Sequence, residues 1–530
     1  MRVKFLSLTL FWYVIAFALI AAAAALNLQM PFVADQAVTL LGAKAIDAGG
    51  ILYVDFWDNK MPGLYWFYLA GGKIFGFSEI GIHWLEGLWM LGFAITLMVL
   101  LRPYYKLDWI SSIAALAVVG TYAVAAEPFQ LTQIEVLIGF PVFLSAWCAM
   151  CIGNRARLIP LFGAASGICA GITVCFKLVY APLFVCFWLI ATFSLVSSGL
   201  RIVSRDVVGL WASASAGVGL VLLVVIAKFY ADGALAELYW TAFAYPAAAL
   251  QSAPSAPVYR LAGSVIFFAS YFAVWSLLIF FALVDWWRYE RTNVLTLTMI
   301  CWLAVGFMLI LIQKFSWWSY HFYLLFPPAG ILAAKGIDVA ATFISCEVPA
   351  LRAKPILITL MLAIPGIGAM LLPASQKGFG YLEVFVRESG DVQLFREVIN
   401  PAYAAIRKST RFLKDDGARK GPIYVFGDPL YYYISNRRPA APIVGWPWDF
   451  FLQSQLDDLP QHLERSRPPY IYITSRDAVS LNRREAAVRQ FISAHYTDLF
   501  NDNRGTWYGA KPGSWGEVSP AKPSVKPAQR

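Results

Sequence analysis

The sequence predicts a polytopic α-helical membrane protein with a small α/β domain after its last span. Of the 530 residues, 59% are hydrophobic and only 14% are charged, whereas about a quarter are charged in soluble domains. The apolar residues also come in stretches of roughly 20, the length of a transmembrane helix. We therefore expect a membrane domain over residues 1–373, an extracytoplasmic α/β domain over 374–508 and a disordered tail over 509–530.

About eleven stretches are long and apolar enough to be membrane spans. The first follows Arg2 and Lys4 and ends in an alanine run, as a signal peptide would. Its apolar run of about 22 residues exceeds the usual signal sequence and favours an uncleaved span. The spans on either side of Lys177 abut each other. The predicted spans cover residues 5–26, 80–101, 108–126, 133–152, 159–176, 178–196, 206–230, 262–285, 294–312, 319–340 and 355–373.

The basic residues predict the orientation of the chain. Positively charged connections stay in the cytoplasm, and basic pairs recur on every second connection. An odd number of spans then places the N-terminus in the cytoplasm and puts the first loop (27–79) and the C-terminal domain outside. We expect the plasma membrane, which is the inner membrane of a bacterium. The basic pairs are Arg2/Lys4, Arg102/Lys106, Arg155/Arg157, Arg201/Arg205, Arg288/Arg291 and Arg352/Lys354.

The net charge, the absence of nucleotide-binding motifs and the cysteine pattern argue against several classes of function. The net charge of +10 is spread over cytoplasmic loops and tail, so that anionic lipid headgroups explain it without a nucleic-acid partner. Glycine-rich nucleotide motifs in a strand–turn–helix context are missing from the sequence, which argues against ATP-driven transport and Rossmann chemistry. Cys148 and Cys151 form a CxxC inside an apolar span, where packing residues are favoured over a metal or redox site. No cofactor is predicted, and a divalent cation stays an open alternative.

The C-terminal region alternates short β-rich runs with helical patterns, which is typical of an α/β domain. Its last residues are rich in Pro, Lys and Ser and are expected to be disordered. The predicted elements are a helix over 393–413 interrupted at Pro401, strands at Ile423–Phe426 and Tyr470–Thr474, and helices over Asp449–Arg467 and Asn482–His495.

The loop between the first two spans is the most informative part of the chain. It holds more charge than a linker between spans needs, which indicates an active-site loop at a membrane face. Asp35 directly precedes a predicted helix over Gln36–Ala48, and its carboxylate would serve as an N-cap, as a general base, or as both. The segment Leu64–Phe77 is apolar and aromatic but too short to span, and it suits a helix lying in the membrane interface.

Motifs in this loop resemble a known family. After the acidic Asp35, the loop contains G-x-x-Y-x-D at 50–55, K-x-P-x-x-Y at 60–65 and F-G-x-S at 75–78. This order resembles the lipid-linked-sugar transferases of the C-type glycosyltransferase (GT-C) fold. Within that fold, the chain is most similar to the protein O-mannosyltransferases and the bacterial aminoarabinose transferases that modify lipid A.

The resemblance extends over nearly the whole chain. It includes QIE at 133–135, the Gly-rich span Gly163–Lys177, WSYHFY at 318–323 with FPP at 326–328, and the external FGDPLYYYISNRRPAAP. Three places depart from the family pattern. Asp35 is followed by Gln36 instead of a second acidic residue, Lys60-Met61-Pro62 replaces Lys-Pro-Pro, and His83 and Glu86 stand where an arginine is expected.

The resemblance implies a reaction and a set of site residues. A sugar would move from a polyprenyl-phosphate carrier to a hydroxyl of lipid A, a glycan or a protein at the extracytoplasmic face. Asp35 would be the base, and Lys60, Lys177 and His321 would stabilise the leaving phosphate. Glu135 would bind the acceptor or pair with a lysine, and Asp55 and Asp58 would organise the loop.

Other interpretations stay open at this point. Lys60 is also explained as an interfacial lysine, Lys177 as the polar end of a span, and His321 as a core histidine. A polytopic transporter would likewise carry charge within the membrane, although the sequence has no long repeat or paired broken spans. A polysaccharide polymerase or ligase would be expected to place its functional loop late in the chain, whereas here it comes first.

Overall fold

A computed structural model describes residues 2–152, 158–197, 204–252, 255–314, 316–348, 355–446, 451–484 and 486–513. Five of the predicted cytoplasmic basic residues, Arg155, Arg157, Arg201, Arg352 and Lys354, lie outside this described part, as does the predicted tail from 514 onward. The described residues form two compact units. The first comprises Met1–Ala48 and Asn59–Pro401, and the second Gly49–Asp58 and the chain after Pro401.

In the described residues of the first unit, the regular elements are helices. Two π-helical turns, Leu116–Gly120 and Trp240–Ala244, join neighbouring helices into longer ones. In chain order the helices are α1 (Arg2–Ala25), α2 (Ala34–Asp47), α3 (Pro62–Phe75), α4 (Glu79–Leu101), α5 (Ile110–Ala115), α6 (Thr121–Ala125), α7 (Ile134–Leu137), α8 (Gly139–Ile152), α9 (Ile159–Phe176), α10 (Ala181–Ser197), α11 (Ser204–Ala231), α12 (Leu235–Tyr239), α13 (Tyr245–Ser252), α14 (Val258–Phe272), α15 (Ser276–Arg288), α16 (Val294–Ile312), α17 (Phe326–Glu347), α18 (Pro355–Arg387) and α19 (Val392–Ile399).

These helices confirm a polytopic membrane protein. Within the described ranges, nine helices are long and apolar enough to cross a bilayer, and the pair α14 and α15, bent by 85°, adds a tenth if counted as one span. The predicted span at 108–126 corresponds to the shorter Ile110–Ala125, whose residues are buried inside the protein. The last long helix continues to Arg387, beyond the predicted end of the last span at 373.

Close packing between α9 and α11 follows from small residues. Glycines at positions 163, 167 and 171 face α11, and a Cβ on Gly167 would lie only 2.0 Å from the carbonyl oxygen of Ala214. In a membrane, where lipid is as apolar as leucine, such close backbone approach is a main source of helix association. This packing places the C-terminal end of α9, and therefore Lys177, at a defined position.

The second unit has a four-stranded mixed sheet in the order β1-β2-β4-β3. Strands β1 and β2 are parallel, and β4 is antiparallel to both of its neighbours. The elements are α20 (Pro401–Thr410), β1 (Ile423–Phe426), α21 (Leu430–Ser435), α22 (Gln453–Ser466), β2 (Tyr470–Thr474), α23 (Ser475–Arg484), α24 (Ala486–His495), β3 (Tyr496–Asp502) and β4 (Gly505–Ala510).

The predicted α/β character of this unit is confirmed. The last two strands, β3 and β4, and the short helix α21 were not predicted, and the helix expected over 482–495 is divided into α23 and α24. The strand β3 is exposed along most of its length and contains aspartates, a composition that is depleted in strands. The strand β4 runs through Ala510, so the tail expected from 509 begins inside a strand. Residues 49–58 of the first loop join this unit, because the Trp57 N–H donates to the carbonyl of Pro442 at 2.9 Å.

Candidate functional site

Asp35 lies in the first turn of α2 and does not cap it. The helix begins at Ala34 with Val33 as N-cap, so the N-cap interpretation of Asp35 is wrong. The Val33 N–H instead donates to the side-chain oxygen of Gln36 at 2.9 Å, which satisfies one of the exposed amides that a helix start leaves. The Asp35 carboxylate is therefore available to other groups, and its Oδ1 lies 3.7 Å from Nζ of Lys60.

Lys60 lies two residues before Pro62, the first residue of α3. A close contact fixes the start of this helix, since a Cβ on Gly63 would lie 2.7 Å from the carbonyl oxygen of Cys175. Cys175 belongs to the last turn of α9, directly before Lys177. The missing side chain at Gly63 thus lets the segment that carries Lys60 approach the segment that carries Lys177.

Lys177, Glu135 and His321 form a second group of polar side chains. The chain breaks at Lys177 between α9 and a short 3-10 turn at Leu178–Tyr180. The Lys177 ammonium and the Tyr180 hydroxyl each donate to Oε1 of Glu135 at 2.7 Å, and Nδ1 of His321 lies 3.3 Å from the same oxygen. Glu135 is at the start of α7, and His321 is in the 3-10 helix Ser319–Leu325.

The buried carboxylate of Glu135 requires these hydrogen-bond donors. The Glu135 side chain is only 2% exposed, and an isolated carboxylate at such a position would be strongly unfavourable. The hydrogen bonds from Lys177 and Tyr180 compensate for the lost water. The two groups lie on neighbouring segments, because the start of α3, next to Lys60, is in close contact with the last turn of α9, next to Lys177.

The loop Glu127–Gln133 connects the elements around this site. The Gln130 side chain donates to the Ser319 hydroxyl at 2.7 Å and accepts from the Tyr323 hydroxyl at 2.9 Å. These two residues flank His321 in the 3-10 helix. The loop therefore holds the His321 segment on one side and leads directly into Glu135 on the other.

Thr132 ties the same loop to α2, α3 and α4. Its hydroxyl lies 2.6 Å from the Tyr68 hydroxyl and accepts from the Gln36 amide at 3.3 Å. Its backbone N–H donates to Oε1 of Glu86 at 2.7 Å, and the Tyr122 hydroxyl donates to the same Glu86 oxygen. Burial raises the pKa of Tyr68 far above its usual value, so this phenol keeps its proton.

The two remaining predicted residues belong to the second unit. Asp55 Oδ2 accepts from the Ile51 N–H at 2.7 Å within a tight turn in which Tyr53 has a φ of 71°. Asp58 is buried, with 5% of its surface exposed. Asp55 thus has the geometry of a residue that organises its own loop.

Tyr180, Gln130 and Thr132 were not predicted from the sequence as parts of the site. Tyr180 follows Lys177 by three residues, and both side chains donate to Glu135. Glu86 was noted only as a departure from the family pattern. Among the described residues, no cluster of three or more His, Cys, Asp or Glu side chains could hold a metal ion.

Compared by sequence, the chain matches no protein-family model and no curated protein significantly. Compared by structure, it is similar to ArnT from Cupriavidus metallidurans bound to undecaprenyl phosphate, with a TM-score of 0.60, 14% identity and coverage of 98% of this chain and 99% of that one. The apo state of ArnT gives a TM-score of 0.58 at 14% identity, with coverage of 98% of this chain and 99% of that one.

A second similar protein is the archaeal oligosaccharyltransferase AglB from Archaeoglobus fulgidus, in complex with an inhibitory peptide and a dolichol-phosphate. Its TM-score is 0.50 at 12% identity, with coverage of 96% of this chain and 75% of that one. ArnT and AglB both have the GT-C fold and match nearly the whole of this chain. The fold expected from the loop motifs is thereby confirmed: this protein has the fold of the C-type glycosyltransferases.

Proposed function

We propose that this protein transfers a sugar from a polyprenyl-phosphate carrier to a hydroxyl group of an acceptor. The observation that carries the proposal is the pairing of the Asp35 carboxylate with Lys60, together with Lys177 and His321, which both lie against Glu135. A base and two lysine ammonium groups at the ends of helices match the needs of a reaction whose donor is anchored in lipid.

Asp35 acts as the general base in this proposal. The acceptor oxygen attacks the anomeric carbon and its proton passes to Asp35. The bond between that carbon and the phosphate oxygen breaks, and the polyprenyl phosphate leaves with the electron pair. The partial exposure of Asp35, 37% of its side chain, gives an acceptor hydroxyl access to the carboxylate, as a general base requires.

Lys60, Lys177 and His321 stabilise the charge that grows on the leaving phosphate, as fixed cations and donors do in other transfer reactions. Glu135 is assigned to this same group rather than to the acceptor. Lys177, Tyr180 and His321 all point at one of its oxygens, so it orients the residues that meet the phosphate.

The lipid carriers bound by the similar structures support a polyprenyl-phosphate donor. ArnT was solved with undecaprenyl phosphate and AglB with a dolichol-phosphate. The transferred group is a hexose or pentose unit, and the acceptor is lipid A, a glycan or a protein.

We place the site at the extracytoplasmic face. This orientation is tested by labelling Lys420→Cys, an exposed position, in a background without native cysteines. We expect the thiol to be labelled in intact cells. A thiol that reacts only after the cells are lysed would contradict the orientation.

Binding of undecaprenyl phosphate to the purified protein tests the proposal. Lys60→Ala should weaken binding about tenfold or more, because a hydrogen bond to a charged group contributes about 1.5–3 kcal/mol. Lys73→Ala is the matched control, since Lys73 is also paired with an aspartate, Asp47, at 3.2 Å. Undecaprenol, which lacks the phosphate, should bind both variants equally. Equal affinity of Lys60→Ala and wild type for undecaprenyl phosphate would refute the phosphate assignment.

A further inference from the structure

Thr132 has a backbone conformation that threonine rarely adopts. Its φ is 53°, in the left-handed region where a β-branched side chain is unfavourable. The residue is buried, with only 2% of its surface exposed. Such a conformation persists only where the surrounding structure imposes it, and strained residues of this kind concentrate at functional sites.

The groups that impose this conformation come from three helices. Glu86 of α4 accepts the Thr132 N–H, while Tyr68 of α3 and Gln36 of α2 hold its hydroxyl. Glu86 is itself buried, and Tyr122 of α6 donates to the same oxygen. These contacts make Glu86 the acceptor that keeps the loop in its strained form.

Thr132 lies between the proposed base and the group around Glu135, so these contacts connect the two. Gln36 is the neighbour of Asp35, so the hydrogen bond at 3.3 Å links the helix of the proposed base to Thr132. Glu135 follows Thr132 by three residues and orients Lys177 and His321. A shift at Thr132 would therefore change the distance between the base and the phosphate-binding group.

We propose that Glu86 and Thr132 are positioning residues that fix the spacing between Asp35 and the Glu135 group. This inference rests on the proposed function. In it, Glu86 accepts the hydrogen bond from the Thr132 N–H and does not contact the substrate. Misplacement of reacting groups by about 1 Å can lower a rate by about 10²-fold. The expected signature is a lower kcat with little change in the affinity for undecaprenyl phosphate.

Three substitutions test this role. Glu86→Ala removes the acceptor, and kcat for transfer should fall by about 10-fold to 10²-fold. Glu86→Gln keeps a carbonyl oxygen at the same place, so its kcat should stay within about threefold of the wild-type value. A decrease of this size corresponds to replacing a charge-assisted hydrogen bond by a neutral one. If Glu86→Ala does not fold, Thr132→Val takes its place, since it removes only the hydroxyl that Gln36 and Tyr68 contact.

Amide hydrogen exchange over residues 130–137 provides a readout that does not depend on activity. Exchange there should rise in Glu86→Ala and return towards wild type in Glu86→Gln. Ser145→Ala is the control, because it removes a buried hydrogen bond to Ser166, at 2.8 Å, on other helices. Equal exchange in this segment for Glu86→Ala and Ser145→Ala would overturn the proposal, and so would a Glu86→Gln variant as impaired as Glu86→Ala.

Failure of the proposed function gives a different result. A wild-type protein that neither binds undecaprenyl phosphate nor transfers a sugar would refute the function, while the exchange comparison would still decide whether Glu86 holds the loop.

Discussion

Replacement of Asp35 by asparagine separates a structural role of this residue from a catalytic one. Asp35 lies in the first turn of α2, where a negative charge contributes about 0.3–1 kcal/mol through the helix dipole. Its pair with Lys60 has a separation of 3.7 Å and a partly exposed carboxylate, so it adds at most about 1 kcal/mol. The change should therefore lower the free energy of unfolding by no more than about 2 kcal/mol.

The expected effect on the rate is larger. Asparagine occupies the same volume but cannot accept the proton of the attacking hydroxyl. Loss of a general base typically costs about 10²- to 10⁴-fold, which corresponds to about 2.7–5.4 kcal/mol in the activation free energy. A stability loss of about 2 kcal/mol in a protein that stays folded cannot produce such a decrease in turnover.

The assay measures transfer from a polyprenyl-phosphate-linked sugar by purified Asp35→Asn, together with its melting temperature. Asp47→Asn is the matched control, because Asp47 lies in the same helix and is paired with Lys73 at 3.2 Å. The control should retain wild-type turnover. A turnover of Asp35→Asn within a few fold of this control would refute the assignment of Asp35 as base.

Three further predictions concern the packing around the site. Glu135→Gln should lower the melting temperature, because Lys177 loses its buried partner, and adding Lys177→Met should restore part of that loss in thermal unfolding. Gly63→Ala should reduce transfer, since its Cβ would lie 2.7 Å from a backbone oxygen of α9, whereas Gly87→Ala, with nothing within 4 Å, should leave transfer unchanged. Gly167→Ala should lower the melting temperature more than Gly87→Ala, because its Cβ would lie 2.0 Å from the backbone of α11; equal melting temperatures would contradict this packing.

The sequence predicted most of the membrane architecture because the bilayer imposes a simple rule on length and polarity. It also predicted the break at Lys177 and the short helix now seen at Pro62–Phe75. The strand β3 was missed, since an exposed edge strand with polar residues lacks the usual apolar alternation. The strand β4 lies inside the sheet and is mostly buried, but it contains Gly505 and Gly509, and glycine is depleted in strands.

The site was predicted as separate candidates and not as an assembly. Glu135, Lys177 and His321 were each identified, but their convergence on one oxygen depends on helix packing that a single sequence does not contain. The capping role of Asp35 was wrong because Gln36 can satisfy the helix start with a longer side chain. The left-handed conformation of Thr132 has no local signal in the sequence, since its partners lie on the helices α2, α3 and α4.

The short distance between Asp35 and Lys60 has a consequence for the timing of the proposed reaction. Before transfer, the two side chains sum to zero charge across their 3.7 Å separation. When Asp35 takes the proton, its negative charge disappears and the full positive charge of Lys60 acts on its surroundings. At that moment the departing lipid phosphate gains negative charge. The same proton transfer therefore activates the acceptor hydroxyl and leaves the positive charge of Lys60 free to stabilise the leaving phosphate. Attack by the acceptor and departure of the phosphate are thus coupled through the charge of this pair.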